Sequence, residues 1–312
     1  MKKRRCILSR VIVVCFTLLA FHSLVESQQS DPPGAQLHLI KKLRACSKHV
    51  SRVVTEHSSF PWQLQDMLIE VDHTFLVSYE DCRTPLPETL TRSATCVVGK
   101  SIDKCAPRRY LQGGFSHAMK VTFTHAVILQ LAIDAGYRHI TVLEDDTVFY
   151  ERNMSIGAVS GFTRLLNSDS WSLIRFGYRP YFLQRNGIEH CATNCRCMLR
   201  HFSEHFCEMQ GRGCDMRSSD FYVVHSSHFK KLRDMLLDIR RPNSKRIIDV
   251  YPMRSFPKQW LVLPQVSSQK TLDIPTEYQL GLGALYMNKC AGPRPLPDRL
   301  LVPAHTLSYE NG

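Results

Sequence analysis

The chain has 312 residues, 44% hydrophobic and 22% charged, proportions that fit a globular protein with a sizeable core and exclude a disordered or fibrous one. Its formal net charge is +12, and five cations against one acid in residues 1–27 account for a third of it. The basic remainder reads either as charge spread over a surface or as affinity for anionic, phosphorylated ligands; no dense Lys/Arg run follows residue 10, which favours the first, and nucleic acid is not an expected partner.

The chain opens on "MKKRR", then a mostly apolar stretch, "VIVVCFTLLAFHSLV", with Val25 and Ser27 placed as the small residues of a cleavage site. Two readings stay open: a cleaved signal peptide, or a single-pass anchor whose basic flank remains cytosolic. Both deliver the rest of the chain to the secretory pathway, in the Golgi or endoplasmic reticulum lumen or beyond it. Ten of the twelve cysteines lie after this segment, an even number that suggests disulfides in an oxidising lumen. Asn153, in "NMS", is a glycosylation acceptor that agrees with that compartment. Residues 28–48, which open on "QQSDPPGAQ", read as a flexible stem. Residues 49–275 read as the main domain, and 276–312 as a Pro-rich extension.

Within the domain, "SRVVTEHS", "WQLQDMLIEVD" and "TFLVSYED" read as strand, helix and strand. Ser116 is a plausible helix cap. Met119, Phe123, Ala126, Leu129 and Ile133 then recur on one helical face, and Gly136 supplies the stop. "RHITVL" follows as a strand apolar on both faces, hence buried. A helix, a short loop and a buried strand make an α/β unit, whose ligands bind beyond the carboxyl ends of its strands. Further along, "WSLIRFGY" reads as a strand, "DFYVVHSSHFKKLRDMLLDI" as strand and helix, and "WLVLPQVSSQ" as a last strand.

The buried strand ends in three consecutive carboxylates, Glu144, Asp145 and Asp146. Adjacent like charges repel, so something must compensate them. If strand geometry continues, Glu144 and Asp146 face one way and Asp145 the other. The first two then suit a hard divalent cation, Mn²⁺ or Mg²⁺, which would also hold a diphosphate. The other reading is an acidic loop balanced by Arg and Lys.

"GGFSHAMKVTFTHAVILQLAIDAGYRHITVLEDDTVF" resembles the signature of glycosyltransferase family 25, which includes lipooligosaccharide and procollagen galactosyltransferases. "WSLIRFGY", "SDFYVVHSSHFKKL", and "IDVYP" followed by "VLPQVSSQ" keep the family's order, so the resemblance covers about residues 113–270. It implies a GT-A fold, a nucleotide-sugar donor such as a UDP-sugar, and Mn²⁺. Glu144, Asp145 and Asp146 match the acidic motif. Ser116, His117, Gly177, Tyr222 and Gln269 match donor- or substrate-binding anchors, and Asp220 and Asp249 match the candidates for a catalytic base. The chain departs from the family by lacking its N-terminal Asn-Leu-x-Arg stretch, by carrying His225 where Ser is usual, and by an insertion at 187–216.

That insertion holds Cys191, Cys195, Cys197, Cys207 and Cys214 with three histidines. Short Cys/His spacings suit zinc, but they fit no common finger, and a secretory lumen favours a disulfide-stapled loop. The expected activity is transfer of a sugar to a hydroxyl of a glycan, glycoprotein or lipid, with inversion. Asp249 is preferred as base because Asp220 begins a strand and is expected at the wrong edge of the sheet. The alternative is a luminal binding protein that kept the fold and lost catalysis.

Overall fold

The computed structural model describes residues 33–55, 62–84, 86–92, 94–102, 104–107, 116–149, 156–180, 198–203, 205–210, 216–238, 246–248, 252, 256–262 and 266–269. By its contacts the chain divides into Met1–Lys41 and Lys42–Gly312. Helix α1 (Pro33–Cys46) begins in the first unit and ends in the second. The stem expected there is therefore helical from Pro33 onward. Proline suits the first helical position, where its φ is preset and its missing N–H loses nothing. In the second unit the last turn of α1 is fixed by buried Leu43, by the Cys46–Cys105 disulfide, and by a two-pronged Arg44–Asp134 ion pair at 2.7 and 2.9 Å.

The second unit is an α/β domain built on one mixed sheet. Its strands are β1 (Val50–Arg52), β2 (His73–Ser78), β3 (Ala94–Val98), β4 (His139–Glu144), β5 (Leu173–Arg175), β6 (Met198–Ser203), β7 (Phe206–Gln210), β8 (Phe221–His225) and β9 (Gln259–Val262). Their order across the sheet is β1-β3-β2-β4-β8-β5-β9-β7-β6. Strands β3, β2 and β4 run parallel, and β8 returns antiparallel against β4 with Phe221 opposite Leu143.

Helices cover both faces. Successive residues of a strand point to opposite sides, and β8 shows which helix lies where. Phe221 stacks on Phe176, which meets Phe162 of α4 (Ile156–Leu166). Tyr222 reaches His125 of α3 (Ser116–Ala135) on the other face. Helix α2 (Trp62–Ile69) joins α4 over a core of Leu64, Met67, Phe162, Leu165, Trp171 and Phe206. Helix α5 (Ser226–Leu237) packs beside α3. His225 precedes α5, and its Nδ1 accepts the Ser227 N–H at 3.3 Å, the capping duty that a serine would otherwise serve. Helix α3 stops at Gly136, whose φ of +72° is left-handed.

The described part of the 187–216 insertion contains strands as well as loop. Its middle forms β6 and β7, which extend the sheet antiparallel from β9, and Phe206 is fully buried. Cys207 lies in β7, while Cys191, Cys195, Cys197 and Cys214 lie outside the described residues. The disulfides among the described residues join Cys46 to Cys105 and Cys82 to Cys96. "WLVLPQVSSQ" is two strands rather than one: β9, and Ser267–Gln269 paired with Thr147–Phe149. Among the described residues no helix is long and apolar enough to cross a membrane. Residues 1–27, Asn153 and 276–312 lie outside the described residues.

Three histidines gather at the sheet edge where the parallel strands begin. His73 opens β2, and His139 opens β4 opposite His225, the end of β8. Burial pushes all three below the usual imidazole range, and it does the same to His228 in α5. Asp72 partly offsets the effect at His139, and Asp169 at His225, whereas Lys231 and Lys258 deepen it at His228. In the unfolded chain these rings titrate near pH 6.5, so between that pH and their folded values the unfolded state binds more protons. Stability is therefore full above about pH 6.5 and falls on acidification, well before the carboxylates respond. Urea midpoints measured at pH 7.5 and pH 5.5 should show a clear loss at the lower pH, and equal midpoints would contradict this account.

Candidate functional site

Parallel β2 and β4 place their carboxyl ends side by side, with Val77 opposite Glu144. A cleft opens beyond these ends, where an open α/β sheet ordinarily receives its ligand. Val77, Ser78 and Tyr79 line it at the end of β2, and Glu144, Asp145 and Asp146 at the end of β4 and in the turn that follows. Across from them stand His117, Lys120 and Thr124 of α3. Ile247 and Ile248, which immediately precede Asp249, also line it. The Ile248 N–H donates to Thr122 Oγ1 at 3.1 Å and so ties that segment to α3.

The three carboxylates occupy three environments. Strand β4 ends at Glu144, and Asp145–Asp146 form a turn before Thr147–Phe149. Strand alternation ends at Glu144, so the turn and not the strand sets the direction of Asp146, and both residues line the cleft. Glu144 is 8% exposed, and its Oε1 accepts from Ser219 Oγ at 2.5 Å and from His125 Nε2 at 3.2 Å. His125 is fully buried, and its Nδ1 lies 2.8 Å from the Tyr222 hydroxyl. Asp145 is exposed, and its Oδ2 accepts from Ser78 Oγ at 2.6 Å and the Tyr79 N–H at 3.2 Å. Asp146 is partly exposed on the cleft wall. Protein donors thus answer much of the repulsion within the motif.

Two contacts frame Asp145. The Cys82–Cys96 disulfide closes the loop after β2 onto β3. Ser78 Oγ, whose single proton goes to Asp145, also lies against the Asp81 carbonyl inside that loop. At the mouth of the cleft Tyr79 meets His117 edge to face, with ring centroids 5.1 Å apart.

Asp220 requires a correction. It precedes β8, but β8 runs antiparallel to β4, so its start lies at the carboxyl end of β4. The Asp220 carbonyl accepts from the Glu144 N–H at 2.8 Å and from Thr147 Oγ1 at 2.9 Å. Asp220 is therefore at the correct edge, although its carboxylate is fully buried and accepts from Ser218 Oγ. Gly177 lies against it, where a β-carbon would overlap the Asp220 carboxylate. Its place in the sequence is explained by that approach.

Of the residues expected to bind a donor, His117 lines the cleft, Tyr222 stands behind it, and Gly177 supports Asp220. Ser116 opens α3, and Gln269 pairs with Thr147, the residue after Asp146. Asp249 lies outside the described residues. His125, Ser78 and Ser219 went unnoticed in the sequence. Ser219 stands beside Asp220 in a quoted motif, but His125 carries no local signal.

Among the described residues no group of three or more His, Cys, Asp and Glu is arranged to hold a metal ion. No protein-family model matches the chain, and no curated protein matches it.

Gly177→Ala should destabilise the domain by about 1–3 kcal/mol, the cost of overpacking a filled site. Gly99→Ala, at a position where a β-carbon meets its neighbours at 3.4 Å or more, should cost less. Denaturant midpoints decide it, and a Gly177→Ala midpoint equal to wild type would remove the steric account.

Proposed function

We propose that this α/β domain is a GT-A-type glycosyltransferase that moves a sugar from a nucleoside-diphosphate donor to an acceptor hydroxyl. The observation that carries the proposal is the acidic turn Asp145–Asp146 at the carboxyl ends of parallel strands, facing α3 across a cleft. The resemblance to glycosyltransferase family 25 supports it, because His117 and the Glu-Asp-Asp run, both matched to the family's motifs, line this cleft.

Mg²⁺ and Mn²⁺ with a nucleotide are held by one or two carboxylates, with phosphate and water completing the shell. Asp145 and Asp146 fit that share, since both offer hard oxygen ligands at the cleft and neither needs a third protein ligand. When bound, the ion neutralises charge on the departing diphosphate. His117 and Tyr79 flank the mouth, where they bind and orient the donor. Ser78 fixes the direction of Asp145. Asp220, buried beneath the turn, supports Glu144 and Thr147 through its carbonyl. Asp249 serves as the base that takes the proton of the attacking hydroxyl. Its chain neighbour Ile248 lines the cleft, in keeping with that role.

Incubation with UDP- and GDP-sugars plus Mn²⁺ should reveal slow donor hydrolysis without acceptor. Asp146→Asn should abolish the Mn²⁺ dependence of nucleotide affinity while the domain stays folded. Asp249→Asn should lower transfer by about 10²–10⁴-fold, the usual contribution of a general base, with donor affinity nearly intact. Wild-type protein that neither binds nor hydrolyses any sugar nucleotide would instead point to a binding protein that has lost catalysis.

A further inference from the structure

Three buried side chains form a line behind the cleft. The Tyr222 hydroxyl lies 2.8 Å from His125 Nδ1, and His125 Nε2 lies 3.2 Å from Glu144 Oε1, which also accepts from Ser219 Oγ. Tyr222 is 1% exposed and His125 not at all. The line joins β8, α3 and β4, the three elements that meet at the acidic turn. A buried carboxylate is costly unless it is hydrogen-bonded, and an ionised one only accepts. A neutral His125 satisfies Glu144 only as the Nε2–H tautomer, which leaves Nδ1 to accept from the Tyr222 hydroxyl. The second hydrogen bond of the ring thus selects the tautomer and holds the ring in place.

We infer that Glu144 is the anchor of this Tyr222–His125–Glu144 relay and not a metal ligand, and that His125 and Tyr222 are positioning residues for the Asp145–Asp146 turn. The inference rests on the donor-binding reading for what the turn holds. Glu144 joins the turn directly, and its N–H donates to the Asp220 carbonyl, so a carboxylate released from His125 would loosen the start of the turn. Glu144 and Asp146 then respond oppositely to the loss of charge. An amide at 144 keeps an oxygen for both donors, whereas an amide at 146 removes a ligand charge.

The test uses the full chain with Mn²⁺ and UDP as probes. Calorimetric titration should show His125→Leu weakening Mn²⁺–UDP binding by about 10–100-fold, the usual consequence of removing a group that orients a ligand-bearing segment. His125→Gln, which keeps a donor, should recover most of that loss. Glu144→Gln should weaken binding far less than Asp146→Asn. Side-chain ¹⁵N spectra of the ligand-free wild type should show His125 as the Nε2–H tautomer, and Tyr222→Phe should disturb that signal. Glu144→Gln losing as much affinity as Asp146→Asn would make Glu144 a ligand and overturn the proposal. So would a His125→Leu loss that merely tracks its folded fraction, or a wild-type Nδ1–H tautomer. If wild type bound no Mn²⁺–UDP, the donor reading would fall, and the tautomer and its response to Tyr222→Phe would decide the relay alone.

Discussion

Glu144 is held through both its main chain and its side chain, and the arrangement of the site follows from that. Its N–H donates to the carbonyl of Asp220 on one neighbouring segment, and its carboxylate accepts from His125 of α3. These bonds bring the end of β4, the start of β8 and the buried face of α3 to one point. The chain then turns at Asp145–Asp146 instead of continuing as a strand. Unsatisfied, a carboxylate so nearly buried would cost several kcal/mol or take up a proton. Its hydrogen bonds therefore constrain where helix and sheet can meet.

The charge problem posed by three adjacent acids is resolved by separating their surroundings. One is drawn under α3, one is hydrogen-bonded to Ser78 and Tyr79 on the neighbouring strand, and one remains on the cleft wall. The cleft keeps Asp145 and Asp146 accessible, opposite Lys120, where an anionic ligand with its counter-ion would meet both signs of charge.

The elements that determine the site were partly legible in the sequence. Strand β4 and helix α3 were readable because an unbroken apolar run and a helical stripe are local patterns, and Gly136 marks their junction. The edge to which Asp220 belongs was not readable, since the direction of β8 depends on pairing with a strand about eighty residues earlier in the chain. His125 was invisible for a related reason. A histidine amid the apolar residues of α3 gains its meaning only from Tyr222 and Glu144. The strands within the insertion were not legible, because Phe206, the apolar side chain buried there, stands in a polar and cysteine-rich run and gains its place only from pairing with β9. Gly177 stood out as a matched position, but only the Asp220 carboxylate beside it gives the physical reason.

The central claim is that a nucleoside diphosphate binds beyond the carboxyl ends of β2 and β4, through the acidic turn. Hydrogen–deuterium exchange of the full chain, with and without UDP and Mn²⁺ together, tests it most directly because it locates the ligand without requiring an acceptor. The account predicts new protection in peptides covering residues 76–80, 116–124 and 143–148 only when nucleotide and metal are both present. Protection confined to other segments, or none at saturating UDP and Mn²⁺, would contradict it.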